Sequence, residues 1–212
     1  MVRKQKSIEE IKEEVKKFYE DKKGSLESST SILIMDTGAL IDIQKENKEE
    51  WLGKLKIKRC MEDILEYFEK YAIPIVTPAT MNEVEIHSFV KINGHEKEIS
   101  SCTYGFSKKC SVNFQDLYDR LESKKDQNRY DAWLFTRNNL RSLLMNKSMG
   151  EISIVDLDIL ENAYLFATTN LKDKKKSLVC VLTSDHYHVA EGINLIRKKF
   201  ELENLGVVET RK

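Results

Sequence analysis

Apolar positions along this chain fall into short unbroken runs and longer stretches of helical spacing, and the two alternate. The unbroken runs are Ile32-Leu33-Ile34-Met35, Ile73-Pro74-Ile75-Val76 and Leu178-Val179-Cys180-Val181-Leu182. Runs of this length, bounded by polar or turn-forming residues, suit strands buried on both faces of a parallel sheet. The first closes on Asp36-Thr37-Gly38, the second on Thr77-Pro78 and the third on Thr183-Ser184-Asp185. Gly206-Val207-Val208 adds a candidate edge strand.

Helical spacing fills the intervals. Residues 7 to 22 open on Ser7 and Glu10, a capping-box pair, and set Ile8, Ile11, Val15 and Phe18 on one stripe. A polar linker, 24 to 31, separates this helix from the first strand. Ala39, Leu40 and Ile43 begin a second helix, and residues 57 to 71 carry Met61, Ile64, Leu65 and Phe68 at helical spacing. Another starts at Thr80 and includes Glu83 and Glu85. From about Phe89 to Val112 the periodicity disappears, which predicts a hairpin or flap. Helices return over 113 to 123 and 126 to 146, the second with Tyr130, Trp133, Leu134, Leu140 and Leu144 inward. Strand, helices, strand, helix is the order of parallel crossovers. The expected fold is α/β, a three-layer α/β/α sandwich around a parallel sheet. Its organisation is an amphipathic helix and linker over 1 to 30, then one domain over 31 to 212 with an insertion at about 89 to 150.

The helix after Gly150 separates two acids. Ser153 and Asp156 take the N-cap and N3 positions. With Asp156 as origin, Ile159, Leu160, Ala163 and Ala167 share its face, whereas Asp158 points away. Asp42 and Asp158 are therefore read as solvated, with Asp158 in reserve as a ligand.

Composition narrows the classes. Thirty-five basic residues balance 35 acidic ones in 212, so no bulk positive field argues for nucleic acid, and any such partner is held by local patches. Candidates are Lys108-Lys109 near Tyr104 and Phe106, Lys172 to Lys176, and Arg197 to Lys199. Cys60, Cys102, Cys110 and Cys180 lack zinc-site spacing and read as free thiols. With no apolar run long enough to span a bilayer and no signal-peptide pattern, a cytoplasmic protein is expected. A dinucleotide site lacks its glycine fingerprint, and haloacid dehalogenase chemistry lacks a second Asp at position 38, which is Gly.

Asp36, Glu83, Asp156 and Asp185 stand at strand ends or helix starts that one crevice can gather. Like charges held that close repel, and a divalent cation resolves the conflict. Oxygen donors favour Mg²⁺ or Mn²⁺ over Zn²⁺. His186 and His188 are read as ordinary surface or core histidines.

The stretches ILIMDTGALI, VTPATMNEVE, ISIVDLDILENAYLFA and VCVLTSDHYHV together resemble, in order, the four acidic motifs of PIN-domain nucleases. The resemblance spans about residues 31 to 208. It implies metal-dependent cleavage of RNA, with Asp36, Glu83, Asp156 and Asp185 as catalytic and metal-binding acids and Thr37, Thr183 and Ser184 placing water or phosphate. RNA is then the expected partner, with an antitoxin or other protein, or a second copy of the chain, as further candidates. Two rivals stand beside it: a PIN-like module that binds RNA or protein without cutting, and a structure-specific DNA nuclease.

Overall fold

The computed structural model describes residues 3–23, 30–46, 54–89, 99–121, 125–135, 138, 152–171 and 177–212. Four strands form one parallel sheet: β1 (Thr30–Met35), β2 (Ile73–Ile75), β3 (Ser177–Thr183) and β4 (Leu205–Glu209), in the spatial order β2-β1-β3-β4. β1 and β3 are central and run in register from Thr30 opposite Ser177 to Met35 opposite Leu182. Every residue of β3 and Ile32 to Met35 of β1 are buried, as unbroken apolar runs require when helices cover both faces.

The helices are α1 (Ile8–Lys23), α2 (Thr37–Glu46), α3 (Lys54–Glu69), α4 (Pro78–Phe89), α5 (Ser101–Asp119), α6 (Lys125–Phe135), α7 (Ile154–Thr168) and α8 (Glu191–Phe200). Alternate strand residues divide the core in two. Leu33, Met35, Leu178, Cys180 and Leu182 pack with Ile11, Val15 and Tyr19 of α1, Ala39 and Leu40 of α2, and Met61, Ile64 and Phe68 of α3. Ile32, Ile34, Val179 and Val181 pack on the other face with Leu157, Leu160 and Phe166 of α7 and Ile193 and Ile196 of α8. These are the three layers. Among the described residues no helix is long and apolar enough to cross a membrane.

Several expectations change. α1 is fastened into the core: the buried Tyr19 hydroxyl donates to the Ile32 carbonyl at 2.6 Å, so its apolar stripe is used within the chain. The hairpin or flap expected through Val112 is helix from Ser101. Ser100 caps α5, accepting from the Thr103 amide. The buried stripe there is Thr103, Phe106, Ser107 and Cys110, whose polar members hid the period. The same helix guards the sheet edge, since Asn113 donates to the Pro74 carbonyl at 3.0 Å. Residues 90–98 lie outside the described residues. Tyr130 and Leu134 of α6, expected inward, are exposed; the Trp133 side chain and residues Leu140 and Leu144 fall outside what is described.

Asp42 is the largest departure. Its helical position predicts a solvated side chain, yet it is fully buried. Arg211 donates to both its carboxylate oxygens, at 2.8 and 2.6 Å, and Thr210 donates at 2.7 Å. The partner lies 169 residues away, beyond any local pattern.

Candidate metal centre

β1 and β3 are also where the strand order reverses: the chain leaves β1 toward β2 on one side and returns to β3 on the other. In open parallel sheets the crevice beyond the strand C-termini at such a point is the usual ligand site. Asp36 follows β1 and Asp185 follows β3. The Asp36 amide donates to the Leu182 carbonyl at 3.0 Å, which ties the two strand ends together just where the acids emerge.

Asp36 is 6% exposed. Thr183 donates its hydroxyl to one carboxylate oxygen at 2.7 Å, and the Gly38 amide reaches the other at 3.3 Å. Burial pushes this carboxyl up to about 6; the Thr183 hydrogen bond opposes the shift, and the negative charges of Asp156 and Glu83 add to it. Gly38 packs closely here: a Cβ would stand 2.1 Å from the Ser184 hydroxyl and 3.3 Å from the Asp36 carboxylate, so a side chain would displace both. The Thr37 hydroxyl, next in the chain, is buried and makes no hydrogen bond among the described residues.

Thr183 links two acids. While donating to Asp36, its oxygen accepts from the Asp185 amide at 2.9 Å. Asp185 then caps a π-helical turn, His186–Ala190, accepting from the amides of Tyr187 and His188 at 2.8 Å each through Oδ1. Its Oδ2 lies 3.1 Å from His188 Nδ1. Asp156 arrives from α7 in the expected capping box with Ser153, and its Oδ2 is 3.8 Å from the same His188 nitrogen. Burial raises the Asp156 carboxyl above its ordinary value, opposed by the Ser153 hydrogen bond and reinforced by the Asp185 charge.

Asp156, Asp185 and His188 each offer one donor atom, all within 4.8 Å of one another. An octahedral cation with bonds of about 2.1 Å separates adjacent donors by about 3 Å and opposite donors by about 4.2 Å. The two spacings to His188 Nδ1, 3.1 Å from Asp185 Oδ2 and 3.8 Å from Asp156 Oδ2, fall between those values. Family models, curated proteins and solved structures give no match to this chain.

The quartet expected from the sequence is thus gathered in part. Asp156 and Asp185 converge with His188; Asp36 and the half-buried Glu83 lie outside that trio but within electrostatic reach of each other. Asp158 has a different job. Its Oδ2 accepts from the Ala79 amide at 3.2 Å and its Oδ1 from the Asn162 side chain at 3.1 Å, so it fastens the start of α4 to α7. Asp42, and more weakly the Asp36 charge, raise the Arg211 guanidinium, whose hydrogen bonds go to Asp42. His188 was the residue sequence reasoning set aside. Its position three after Asp185 was the available signal, since a carboxylate capping a turn brings the side chain at that position back toward itself.

Proposed function

We propose that this protein is a divalent-metal-dependent endoribonuclease of the PIN type. The observation that carries the reading is the convergence of Asp156, Asp185 and His188 donors within 4.8 Å, beside the buried Asp36, at the reversal point of a parallel sheet. The four motifs that resemble PIN nucleases supply the reaction class. The donor set fits a hard or borderline cation: two carboxylates suit Mg²⁺ or Mn²⁺, and the imidazole tilts the choice toward Mn²⁺. The buried Thr37 hydroxyl, without a partner among the described residues, is a further place for a water or ligand oxygen, because buried polar groups are normally satisfied.

When bound, the cation supplies Lewis acidity toward water and charge neutralisation at the scissile phosphate. The chain's own residues do the rest. Asp156 and Asp185 hold the position, with orientations set by the Ser153 capping box and by two backbone amides. Asp36, raised to about 6 by burial, can accept a proton from an attacking water near neutral pH. No side chain is required to become covalently attached.

A non-cutting RNA- or protein-binding module is the second reading, favoured by the fact that Asp156 and Asp185 each already cap a backbone segment. End-labelled RNA incubated with Mn²⁺ or Mg²⁺ separates the two. The wild-type protein is expected to cut internally, faster with Mn²⁺, and Asp36→Asn and Asp185→Asn to lose the cutting. Equal cleavage by all three proteins, or none by the wild type while it binds RNA, overturns the nuclease reading.

A further inference from the structure

Glu209 is an acid at the edge of the crevice with no part in the metal reading. It closes β4 directly opposite Thr183 of β3, one position beyond the paired residues Met35, Leu182 and Val208. Asp36, Thr183 and Glu209 therefore stand side by side along the C-terminal edge of the sheet, with neighbouring Cα atoms about 4.8 Å apart. The Thr210 amide donates to the Thr183 carbonyl at 2.8 Å, so the pairing of β3 with β4 continues past this row.

The Glu209 carboxylate is engaged. One of its oxygens accepts from Arg3 at 2.7 Å and lies 2.9 Å from His186 Nδ1. A carboxylate accepts from the imidazole it faces, which puts the ring proton on Nδ1. His186 opens the π-helical turn His186–Ala190, and Asp185 caps it. Such turns are rare and recur at functional sites. Asp185 and His188, two of the three converging donors, thus lie on either side of His186 within one short stretch of chain. The turn is held from within by the Asp185 carboxylate, which accepts from the Tyr187 and His188 amides, and from beneath by the buried Val189 and Ala190. The contact of His186 with Glu209 ties it sideways to β4, 23 residues along the chain. Any displacement of His186 would carry its neighbour Asp185 and the turn bearing His188 with it.

We infer that Glu209 is a positioning residue for the metal centre: through His186, and steadied by Arg3, it fixes the π-turn in the orientation that brings Asp185 and His188 to one cation. The inference rests on the metal-centre reading above and concerns capture of the ion, not the substrate cut. Glu209 needs no contact with the ion for this role. Removing a partner that orients a metal ligand costs about 10- to 100-fold in affinity. Glu209 acts through a residue beside the ligands, so the low end of that range applies.

The test titrates Mn²⁺ alone into the full chain, with free ion read by electron paramagnetic resonance. Glu209→Ala is expected to raise Kd about 10-fold. Glu209→Gln removes the charge but keeps an oxygen that can accept from His186 and Arg3, and should recover most of the loss. His186→Ala should weaken binding as much as Glu209→Ala does, and the double variant no further, because the two act as a unit. Thermal melts without metal check that each variant folds; where Glu209→Ala does not, His186→Ala and Glu209→Gln carry the test. Wild-type Kd in Glu209→Ala or His186→Ala overturns the inference. So does Glu209→Gln as weak as Glu209→Ala, the mark of lost charge rather than lost bracing, or a Glu209→Ala effect undiminished in the His186→Ala background. Mn²⁺ binding indifferent to all these variants sinks this inference alone, whereas Glu209-dependent Mn²⁺ binding by a wild type that cuts no RNA supports it and sinks the nuclease reading.

Discussion

Replacing Asp36 by Asn should make the metal-free protein more stable while removing its activity. A carboxyl moved from 3.8 to about 6 by burial and neighbouring acids carries an ionisation cost of about 3 kcal/mol at neutral pH, taking roughly 1.4 kcal/mol per pH unit. The sign follows from linkage. Between pH 3.8 and about 6 the folded protein holds a proton that the unfolded chain has released, so stability falls as pH rises through this window and levels off above it. Asn removes the charge, but it cannot accept from both Thr183 and Gly38 as the carboxylate does. That loss costs about 1 kcal/mol. The net gain for Asp36→Asn is about 2 kcal/mol at pH 7.5 in EDTA, a rise of about 4–8 °C in melting temperature for a chain this size, and it should shrink toward pH 4. Urea unfolding across pH 4 to 8 measures it. Saturating Mn²⁺ should narrow the gap, because the wild type gains more from the ion. A variant less stable than wild type at pH 7.5 without metal refutes the claim that Asp36 sits in an electrostatically strained pocket.

Three further substitutions test the surroundings. Arg211→Ala leaves Asp42 buried and charged, with Thr210 its remaining side-chain donor among the described residues; because the arginine side chain is 39% exposed, the cost should fall below the usual range for a broken buried pair, at about 2–3 kcal/mol by chemical denaturation. Asp158→Ala should cost about 1 kcal/mol through the lost contact with α4, with Mn²⁺ affinity unchanged by calorimetry; a large loss of affinity would make Asp158 a ligand after all. Thr183→Val removes the hydroxyl that joins Asp36 to the Asp185 amide and should weaken Mn²⁺ binding about 10- to 100-fold, with unaltered affinity counting against its orienting role.

What the sequence made legible follows from how locally each feature is specified. β1 and β3 were readable because a strand buried on both faces must be apolar throughout, and nothing distant alters that. The Ser153 and Asp156 capping box was readable because its partners are three residues apart. α5 was hidden because Thr103 and Ser107 occupy its buried stripe, with Thr103 bonded to the Gln44 side chain and Ser107 to its own helix. Asp42 was misjudged because burial of an acid is decided by whether an arginine arrives, and Arg211 arrives from the far end of the chain. Asp158 was judged by helical register alone, which says which way a side chain points but not that the start of α4 waits there.

The acids of the candidate centre are held by hydroxyls, amides and an imidazole rather than by a guanidinium, and this separates them from Asp42. Asp42 meets a guanidinium on both oxygens, which ends its demand for positive charge. Asp185 gives one oxygen to two amides and turns the other toward His188. Asp156 and Asp36 are oriented by neutral donors, Ser153 and Thr183. Amides and hydroxyls fix direction while leaving the negative charge in place, and burial, with repulsion among the acids adding to it, raises the proton affinity of Asp36 and Asp156. Asp42 and the crevice acids therefore differ in kind: Asp42 shares both oxygens with a guanidinium, whereas Asp36 and Asp156 are oriented by hydroxyls and backbone groups and Asp185 by two amides and an imidazole.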